Sequence, residues 1–319
     1  MLATALVMAF GDALAKRISA DFSLWQVYLL RSLFAVPLTV ALPRLGGGTL
    51  RSKALGWIAL RSALLMAMWV FFYAALASLS LPVVAAAYYT GPLFITGFSA
   101  LLIREPIGGR RWLAIGLGFL GVLAILRPGT AAFSWLALLP VLSAMFYALA
   151  AIVTRVKCAE ENPLMLSLGL NLSFALFGAV GSLVLILFGP LPGAAEHRFL
   201  FGPWAEMGLS QWGIIALMAV LIVAVSVGVA KAYQSGPPAI IATFDYSYLI
   251  FAAFWSVVFF AELPDGSTLL GMLLIGGAGL LTLPRQARAA GLKSAKMPMA
   301  NHMVTPTGTT LRMNDAHEA

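Results

Sequence analysis

The chain has 319 residues, of which 61% are hydrophobic and only 10% are charged. Soluble domains carry about 25% charged residues, so this composition excludes an ordinary soluble protein. The formal net charge of +8 does not indicate nucleic-acid binding, because that requires a basic, solvated face that such an apolar chain does not offer. Its apolar stretches are long enough to span a bilayer as helices and too uniformly apolar for barrel strands. The sequence therefore predicts an all-α polytopic membrane protein.

Ten apolar stretches follow one another along the chain, and each is predicted to be a transmembrane helix. Several are shorter than the roughly 17–25 residues that span a bilayer, which tilt or local thinning can accommodate. The first stretch lacks the basic residues that precede the apolar core of a signal peptide, so we expect a first membrane helix there, and a start upstream of Met1 stays open. The predicted helices are 2–15, 24–42, 55–76, 81–103, 112–126, 135–153, 164–188, 212–230, 238–260 and 269–283.

The basic residues indicate how these helices are oriented. If the N-terminus is cytoplasmic, fourteen lysines and arginines face the cytoplasm, and four, Lys16, Arg17, Arg127 and Arg198, face outward. Because basic residues concentrate on the cytoplasmic side, both termini are predicted to be cytoplasmic. Residues 189–211 are then one long outer loop, and the polar residues 285–319 are predicted to form a disordered cytoplasmic tail.

Two segments of the chain resemble each other at a distance of about 157 residues. Residues 81–105 begin with LPVVAAAYYTGPLF and end at Glu105, whereas residues 237–262 begin with PPAIIATFDYSYLI and end at Glu262. Five helices in each half would place the halves in opposite orientations, which is the inverted repeat of many alternating-access transporters. We expect one repeat at 1–130 and a second at 131–284.

Several further segments carry a resemblance to a known family. They include GDALAK, which ends at Lys16, Arg31 in the second stretch, Arg155, the matching segments described above, GLGFLGVLAIL and LLGMLLIGGAGLL. With these segments, residues 1–284 resemble the drug/metabolite transporter superfamily, in the group with two tandem EamA domains.

The resemblance implies a secondary transporter, not an enzyme, with ten helices in a bacterial inner membrane. Relatives are known that export amino acids or take up riboflavin or S-adenosylmethionine, so the expected solute is an amino-acid-like, vitamin or nucleoside-like metabolite. Proton coupling and a homodimer both stay open. The alternative is a membrane protein without transport activity, such as a sensor or an assembly subunit.

Asp245 is the leading candidate for charge recognition. An ionisable residue at membrane depth is costly and usually faces a cavity or a partner. Asp245 lies seven residues into its predicted helix, and Tyr248, three residues later, shares its face. The carboxylate could bind a cationic group of the substrate or a coupling proton. It could equally form a buried ion pair with Arg31, Arg61 or Lys231.

Arg31 lies seven residues into the second stretch. Its planar donors suit a carboxylate or phosphate of the substrate, but they also suit Asp12 or Asp245 as structural partners. Asp12 and Lys16 are four residues apart, so we expect them to neutralise each other on one helix face. Arg61 is near a cytoplasmic helix end and is expected to extend to the interface. An acid and a guanidinium inside the bundle together favour a zwitterionic or mixed-charge substrate.

Aromatic and amide side chains supply the other candidate binding residues. Tyr88 and Tyr89 occupy the positions of Asp245 and Tyr246 in the other half and could stack on a planar substrate. Asn171 is deep in its helix and could bind the substrate or hydrogen-bond a neighbouring helix.

Glu105 and Glu262 are predicted at helix ends on opposite sides of the membrane. Their equivalence in the two halves favours capping or cross-linking of a neighbouring helix, with a gating role. Coupling to protons is a second interpretation of both residues.

The glycine pattern and the few histidines and cysteines argue against a cofactor site, a metal site or a catalytic site. GLGFLG at Gly116–Gly121 matches a dinucleotide-binding pattern, but it lies inside an apolar helix, so we expect its glycines to allow close helix packing. All three histidines lie outside the predicted spans, and Cys158 is the single cysteine. We therefore predict no metal, no cofactor and no catalytic site.

Overall fold

A computed structural model describes residues 1–45, 50–102, 109–126, 134–189, 198–236, 241, 244 and 247–282. All regular structure in these ranges is helical. The helices are α1 (Leu2–Ile18), α2 (Leu24–Leu45), α3 (Leu55–Leu76), α4 (Leu81–Tyr88), α5 (Gly91–Leu102), α6 (Gly109–Leu126), the 3-10 turn η1 (Trp135–Leu138), α7 (Leu139–Lys157), α8 (Pro163–Phe188), α9 (Arg198–Phe201), α10 (Leu209–Ser235), α11 (Ser247–Phe260) and α12 (Gly266–Thr282).

Six of these helical segments are long and apolar enough to cross a membrane. Three shorter apolar helices, Trp112–Ala124, Ser247–Phe260 and Gly266–Ala278, accompany them. Helix α1 has 17 residues and carries Asp12, Lys16 and Arg17. The six spans are Leu24–Pro43, Leu55–Leu76, Val83–Leu102, Trp135–Lys157, Pro163–Phe188 and Leu209–Ser235. The predicted class, a polytopic α-helical membrane protein, is confirmed.

The fourth predicted helix is divided in the structure. Helix α4 ends at Tyr88, and α5 begins at Gly91. Pro92 lacks a backbone N–H and cannot continue a regular helical ladder, which accounts for a break at this position. In the span Val83–Leu102, 72% of the apolar window is buried, the highest share of the six spans. The break therefore lies in a segment that the other helices largely surround.

Several of the main helix pairs form a symmetric set, although the contact between α8 and α10 has no comparable counterpart between the described residues of α2 and α3. Helix α1 packs against α10 and α11, and its counterpart α7 packs against α3 and against α4 and α5. Helix α2 packs against α8 and α10, and α8 correspondingly packs against α2 and α3, while α6 pairs with α12. Exchanging the helices of 1–130 for their counterparts in 131–284 reproduces these pairs. A twofold relation between the halves would produce this pattern, and the division into two repeats stays a prediction.

Two glycines permit the close approach of neighbouring helix backbones. A Cβ at Gly178 of α8 would lie 2.5 Å from Leu29 N and 2.8 Å from Trp25 O on α2. A Cβ at Gly121 of α6 would lie 2.9 Å from Gly271 O on α12. The packing role predicted for GLGFLG is therefore confirmed at Gly121.

The predicted outer loop is partly folded onto the bundle. Trp25 Nε1 donates a hydrogen bond to Leu200 O at 2.9 Å. Gln26 pairs with the backbone of Ala205 through its amide nitrogen and oxygen, at 2.6 and 3.0 Å. Phe199, on α9, is buried and meets Tyr73 with ring centroids 6.4 Å apart. This part of the loop is thus fixed over one end of α2 and α3.

Candidate functional site

Asp12 lies at the centre of a hydrogen-bonded group inside the bundle, with an exposed fraction of 2%. Its Oδ1 accepts a hydrogen bond from the Tyr73 hydroxyl at 3.0 Å, and its Oδ2 accepts one from the Tyr248 hydroxyl at 2.7 Å. Tyr73 is on α3 and Tyr248 is on α11, so the carboxylate connects three helices. A buried carboxylate needs such donors, because its charge is otherwise very costly away from water.

The sequence of α1 explains why this carboxylate can reach both tyrosines. The buried residues of α1 include Ala5, Ala9 and Ala13 beside Asp12. Their small side chains let α10 and α11 approach the helix closely, and Asp12 is the polar group on that buried face.

Arg31 is buried nearby, and part of its guanidinium is unpaired. The exposed fraction is 2%, and Nε and Nη2 have no hydrogen-bond partner among the described residues. The guanidinium carbon lies 4.4 Å from the Phe174 ring centroid and 5.4 Å from that of Tyr28, which are cation–π distances. No ion pair within 4.0 Å joins Arg31 to Asp12, although both residues are described. The alternative of a direct Arg31–Asp12 ion pair is therefore wrong.

A cavity of about 20 Å³ lies between Asp12 and Arg31, with room for about one water molecule. Trp69 and Tyr73 of α3 line one wall, stacked on each other at 5.0 Å. Helix α10 contributes apolar side chains, including Met218. The first predicted half thus supplies the acid, the guanidinium and the aromatic surfaces of the cavity, and α10 of the second half supplies an apolar wall.

Tyr88 and Tyr89 lie at the break between α4 and α5, and both are buried. The Tyr89 ring stacks on Tyr248 with centroids 5.0 Å apart. The Tyr88 ring contacts Tyr89 and Tyr147, at 5.4 and 5.6 Å. The structure therefore brings three predicted binding residues, Tyr88, Tyr89 and Tyr248, into one aromatic cluster. Of these, Tyr248 donates the hydrogen bond to the Asp12 carboxylate.

Asn171 is fully buried on α8, and its amide nitrogen donates to Ser167 O at 2.9 Å. Ser167 Oγ in turn pairs with Ser226 Oγ of α10 at 2.5 Å. The Asn171 Oδ1 has no hydrogen-bond partner among the described residues. Asn171 therefore belongs to a polar contact between α8 and α10 and does not line the cavity of Asp12.

Lys16 is paired with Glu262 rather than with Asp12, so the predicted neutralisation of Asp12 by Lys16 is wrong. Its Nζ lies 2.8 and 2.7 Å from the two carboxylate oxygens of Glu262, and Ser256 Oγ donates to the same carboxylate at 3.2 Å. Ala261, just before Glu262, has φ of 52°, a left-handed conformation that is unusual for a residue with a Cβ. Glu262 therefore cross-links α1 to the end of α11, which is the contact expected of it.

Arg61 does not extend to the interface. It is buried, and it donates to Thr154 Oγ1 at 2.7 Å and to Leu166 O at 3.3 Å. Its charge is thus held between α3, α7 and α8.

A larger pocket of about 540 Å³ lies at the same end of α1 as the Lys16–Glu262 pair. We call it the basic vestibule; its lining includes Lys16, Arg17, Arg198, Phe199 and Phe260. Phe199 also contacts Tyr73, which lines the cavity of Asp12. This pair of rings therefore connects the lining of the basic vestibule with the lining of the buried cavity.

Two predicted site residues, Asp245 and Glu105, lie outside the described residues. The sequence interpretation assigned Asp12 to Lys16 as its partner and did not select Tyr73. The available signal was the buried face of α1, because Asp12 shares it with the alanines at positions 5 and 9. Within the described ranges, no group of three or more His, Cys, Asp or Glu side chains could hold a metal ion.

Known proteins resemble this chain over most of its length. A riboflavin transporter from Rhizobium johnstonii is 30% identical, over 85% of this chain and 82% of its own. A pseudopaline exporter from Pseudomonas aeruginosa is 26% identical, over 83% of this chain and 87% of its own. A crystal structure of another protein has a TM-score of 0.64 at 18% identity and covers 89% of this chain and 96% of that chain, a likeness of fold.

The sequence profile of the EamA-like transporter family matches residues 1–127. Together with the extended similarity to the Rhizobium protein, this match establishes the family. The chain belongs to the EamA-like transporter family, within the drug/metabolite transporter superfamily.

Proposed function

We propose that this protein is a secondary transporter that moves a small organic solute across the bacterial inner membrane, with both termini cytoplasmic. The observation that carries the proposal is the buried cavity with Asp12 and Arg31 on its walls. Ionisable residues at membrane depth mark solute or proton pathways by default. Helices α1, α2 and α3 reach this cavity from residues 1–130, and α10 reaches it from 131–284, so solute would bind between the two repeats.

Alternating access is the mode of transport that fits this cavity. Its volume of about 20 Å³ accommodates a water molecule but not an organic metabolite. A solute can enter only when the helices around Asp12 and Arg31 separate. In an inverted-repeat transporter, the two halves rock about a central site so that it opens to one side at a time.

Asp12 is suited to couple a proton to this motion. As a carboxylate it accepts from Tyr73 and Tyr248 with separate oxygens. A protonated carboxyl carries its own O–H donor and has fewer acceptor sites, so protonation would weaken the link to α3 or to α11. The groups facing Asp12 are Arg31 of α2 and these two tyrosines, while Lys16 of its own helix is paired elsewhere. Asp245 stays a second proposed coupling residue.

The Lys16–Glu262 pair is the proposed gate on the vestibule side. Lys16 Nζ also lies 4.8 Å from the Phe260 ring centroid and 3.5 Å from Leu79 O. One helical turn beyond Asp12, α1 is thus joined to the end of α11 and to the connection between α3 and α4. For α1 and α11 to part at this end, the ion pair must break. Glu105, at the corresponding place in the other half, is proposed to act similarly.

Tyr88, Tyr89 and Tyr248 are proposed to move with the solute. A planar solute could replace one of their ring contacts at the α4–α5 break, since aromatic stacking is worth about 0.5–1.5 kcal/mol per pair. Asn171 is proposed to act on solute binding indirectly, through the polar contact between α8 and α10.

Flux in reconstituted liposomes tests the function. Labelled riboflavin, pseudopaline, an amino acid and S-adenosylmethionine would each be offered to liposomes that contain the folded protein, with and without a pH gradient. Flux of at least one solute above that of empty liposomes, reduced at least tenfold in Asp12→Asn, is the expected result. No flux of any of them, with protein that remains folded, would favour the alternative of a sensor or an assembly subunit.

A further inference from the structure

The buried acid and the buried guanidinium of the cavity differ in how far their bonding capacity is used. Both Asp12 oxygens accept a tyrosine hydroxyl. Arg31 has two donor nitrogens, Nε and Nη2, without a partner among the described residues. Buried donors are nearly always paired, and each unpaired one carries a penalty of about 1–3 kcal/mol. Between these two residues, the polar atoms without any partner are therefore donors of the cation.

The surroundings of Arg31 hold its guanidinium in place without using those donors. Phe174 and Tyr28 pack against it at cation–π distances of 4.4 and 5.4 Å. Nε and one Nη of a guanidinium form a planar fork that matches the two oxygens of a carboxylate or a phosphate. Nε and Nη2 are the two nitrogens left unpaired.

The basic vestibule has the same sign of charge. Its described lining includes three cations and no acid, and Arg17 and Arg198 are both exposed. Glu262 pairs with Lys16, and Arg17 and Arg198 are the other two cations of the described lining. The charge distribution of the chain places these cations on the outer side of the membrane. The positive-inside rule therefore does not account for them. A cleft lined by one sign of charge raises the local concentration of the opposite ion.

From these two observations we infer that the transported solute carries an anionic carboxylate or phosphate group, which Arg31 Nε and Nη2 bind, beside a planar ring that packs on the aromatic walls. The inference rests on the proposed function and names its class of substrate. The vestibule cations attract the anion, and the contact of Phe199 with Tyr73 links the lining of the vestibule to that of the binding cavity. The inference concerns the anionic part of the expected mixed-charge substrate, because the unpaired donors of Arg31 can bind that part, and a cationic part stays a prediction.

Matched pairs of probes test this class. Binding of riboflavin and riboflavin 5′-phosphate, and of 3-phenylpropionate and 3-phenylpropylamine, would be measured on the purified full-length protein in neutral detergent. The anionic member of at least one pair should bind at least tenfold more tightly than its partner. Equal binding within both pairs, preference for the uncharged or cationic member, or no binding of either anion would overturn the inference.

Variants of Arg31 test whether the anion binds to Nε and Nη2 of its guanidinium. Arg31→Gln should weaken binding of the anion about 10–100-fold, because a charge-assisted hydrogen bond is worth about 1.5–3 kcal/mol, and should change binding of the uncharged partner less than threefold. Arg31→Lys keeps the charge and should retain part of the affinity, which controls for misfolding of the Gln variant. Equal losses for both members of a pair would overturn the role of Arg31.

Further controls distinguish solute binding from lipid binding, and the substrate class from the transport function. Arg198→Gln, at an exposed position, should lower the association rate of the anion and reduce its salt dependence. Phosphatidylglycerol should leave binding unchanged, and complete displacement by this lipid would mean that the cations bind a headgroup and not a solute. If riboflavin is transported in liposomes but no anion is preferred, the substrate class is wrong while the transport function stands.

Discussion

Asp12 on α1 and Tyr248 on α11, 236 positions apart in the chain, are joined by a hydrogen bond of 2.7 Å inside the bundle. One helix belongs to the first predicted repeat and the other to the second. The same carboxylate also accepts from Tyr73 of α3. A single ionisable group thus holds a contact between the halves, which is where a coupling residue of an alternating-access transporter must act.

Replacing Asp12 by Asn should keep the fold but remove the response of transport to pH. Asparagine has the same shape and keeps one carbonyl acceptor, but it cannot gain or lose a proton. Initial rates of solute flux would be measured in liposomes between pH 5 and pH 8. Asp21→Asn is the control, because Asp21 is exposed in the turn that follows the same helix. A wild-type pH profile in Asp12→Asn would remove the coupling role from this residue.

Tyr73→Phe and Tyr248→Phe should each destabilise the protein, while Tyr28→Phe should not. The first two remove hydrogen bonds to a carboxylate, worth about 1.5–3 kcal/mol each. The Tyr28 hydroxyl is buried with no described partner, so its removal leaves no donor or acceptor unpaired. Melting temperatures in detergent would measure the difference.

A double-mutant cycle makes the test specific to the carboxylate. In the Asp12→Asn background, the losses from Tyr73→Phe and Tyr248→Phe should shrink, because the charged acceptor is gone. Losses that simply add would mean that the tyrosines stabilise the bundle by packing alone.

Breaking the Lys16–Glu262 pair should change gating more than stability. Side chains that are 14% and 34% exposed form this pair, so its worth is about 0–1 kcal/mol. Glu262→Gln should therefore shift the melting temperature little but raise solute leak or exchange across liposome membranes. Exposed Glu160→Gln serves as the control. The exchanged pair, Lys16→Glu with Glu262→Lys, should return solute leak and exchange to the wild-type level. Its failure to do so would argue against an ion-pair gate.

Gly121→Ala should destabilise the contact between α6 and α12. The new Cβ would lie 2.8 Å from Ile275 Cγ1 and 2.9 Å from Gly271 O, and overpacking of this kind costs about 1–3 kcal/mol. At Gly116, on the same helix, a Cβ meets no described heavy atom within 4 Å. Gly116→Ala should therefore be neutral or stabilising, since alanine is the better helix former. Equal melting temperatures for the two variants would contradict the packing described.

The sequence was sufficient to predict the helices, because membrane-spanning segments are encoded by the local length and apolarity of the chain. All ten predicted stretches correspond to helical structure in their described parts. The break after Tyr88 was not predicted, because Gly91 and Pro92 lie within a continuous apolar run that has the length of one helix. The fixed part of the outer loop depends on contacts such as that of Trp25 with Leu200, which are distant in sequence.

The candidate site was predicted in part. Arg31 and Tyr248 lie at or beside the cavity, because rare polar residues in apolar helices are informative wherever they occur. Asp12 was misassigned because Lys16 four residues later offered a local partner, whereas the actual partners are on α3 and α11. Local spacing cannot show that Lys16 meets Glu262, 246 positions away. The roles of Asp245 and Glu105 stay predictions.

The cavity of Asp12 and Arg31 must open to each side of the membrane in turn if it is the transport site. Met218 lines this cavity and is buried, whereas its neighbour Leu217 is 42% exposed on the outer surface of the bundle. The native Cys158 gives little background reactivity, because burial raises the pKa of its thiol. Met218→Cys and Leu217→Cys therefore offer a matched pair for labelling.

The decisive measurement is labelling of Met218→Cys with a membrane-impermeant maleimide, applied from either side of reconstituted liposomes with and without a solute that binds. We predict labelling from both sides, at rates that the solute changes, and little labelling of Leu217→Cys or the wild type. Labelling of Met218→Cys from neither side, or from one side under every condition, would contradict an alternating-access site at Asp12 and Arg31.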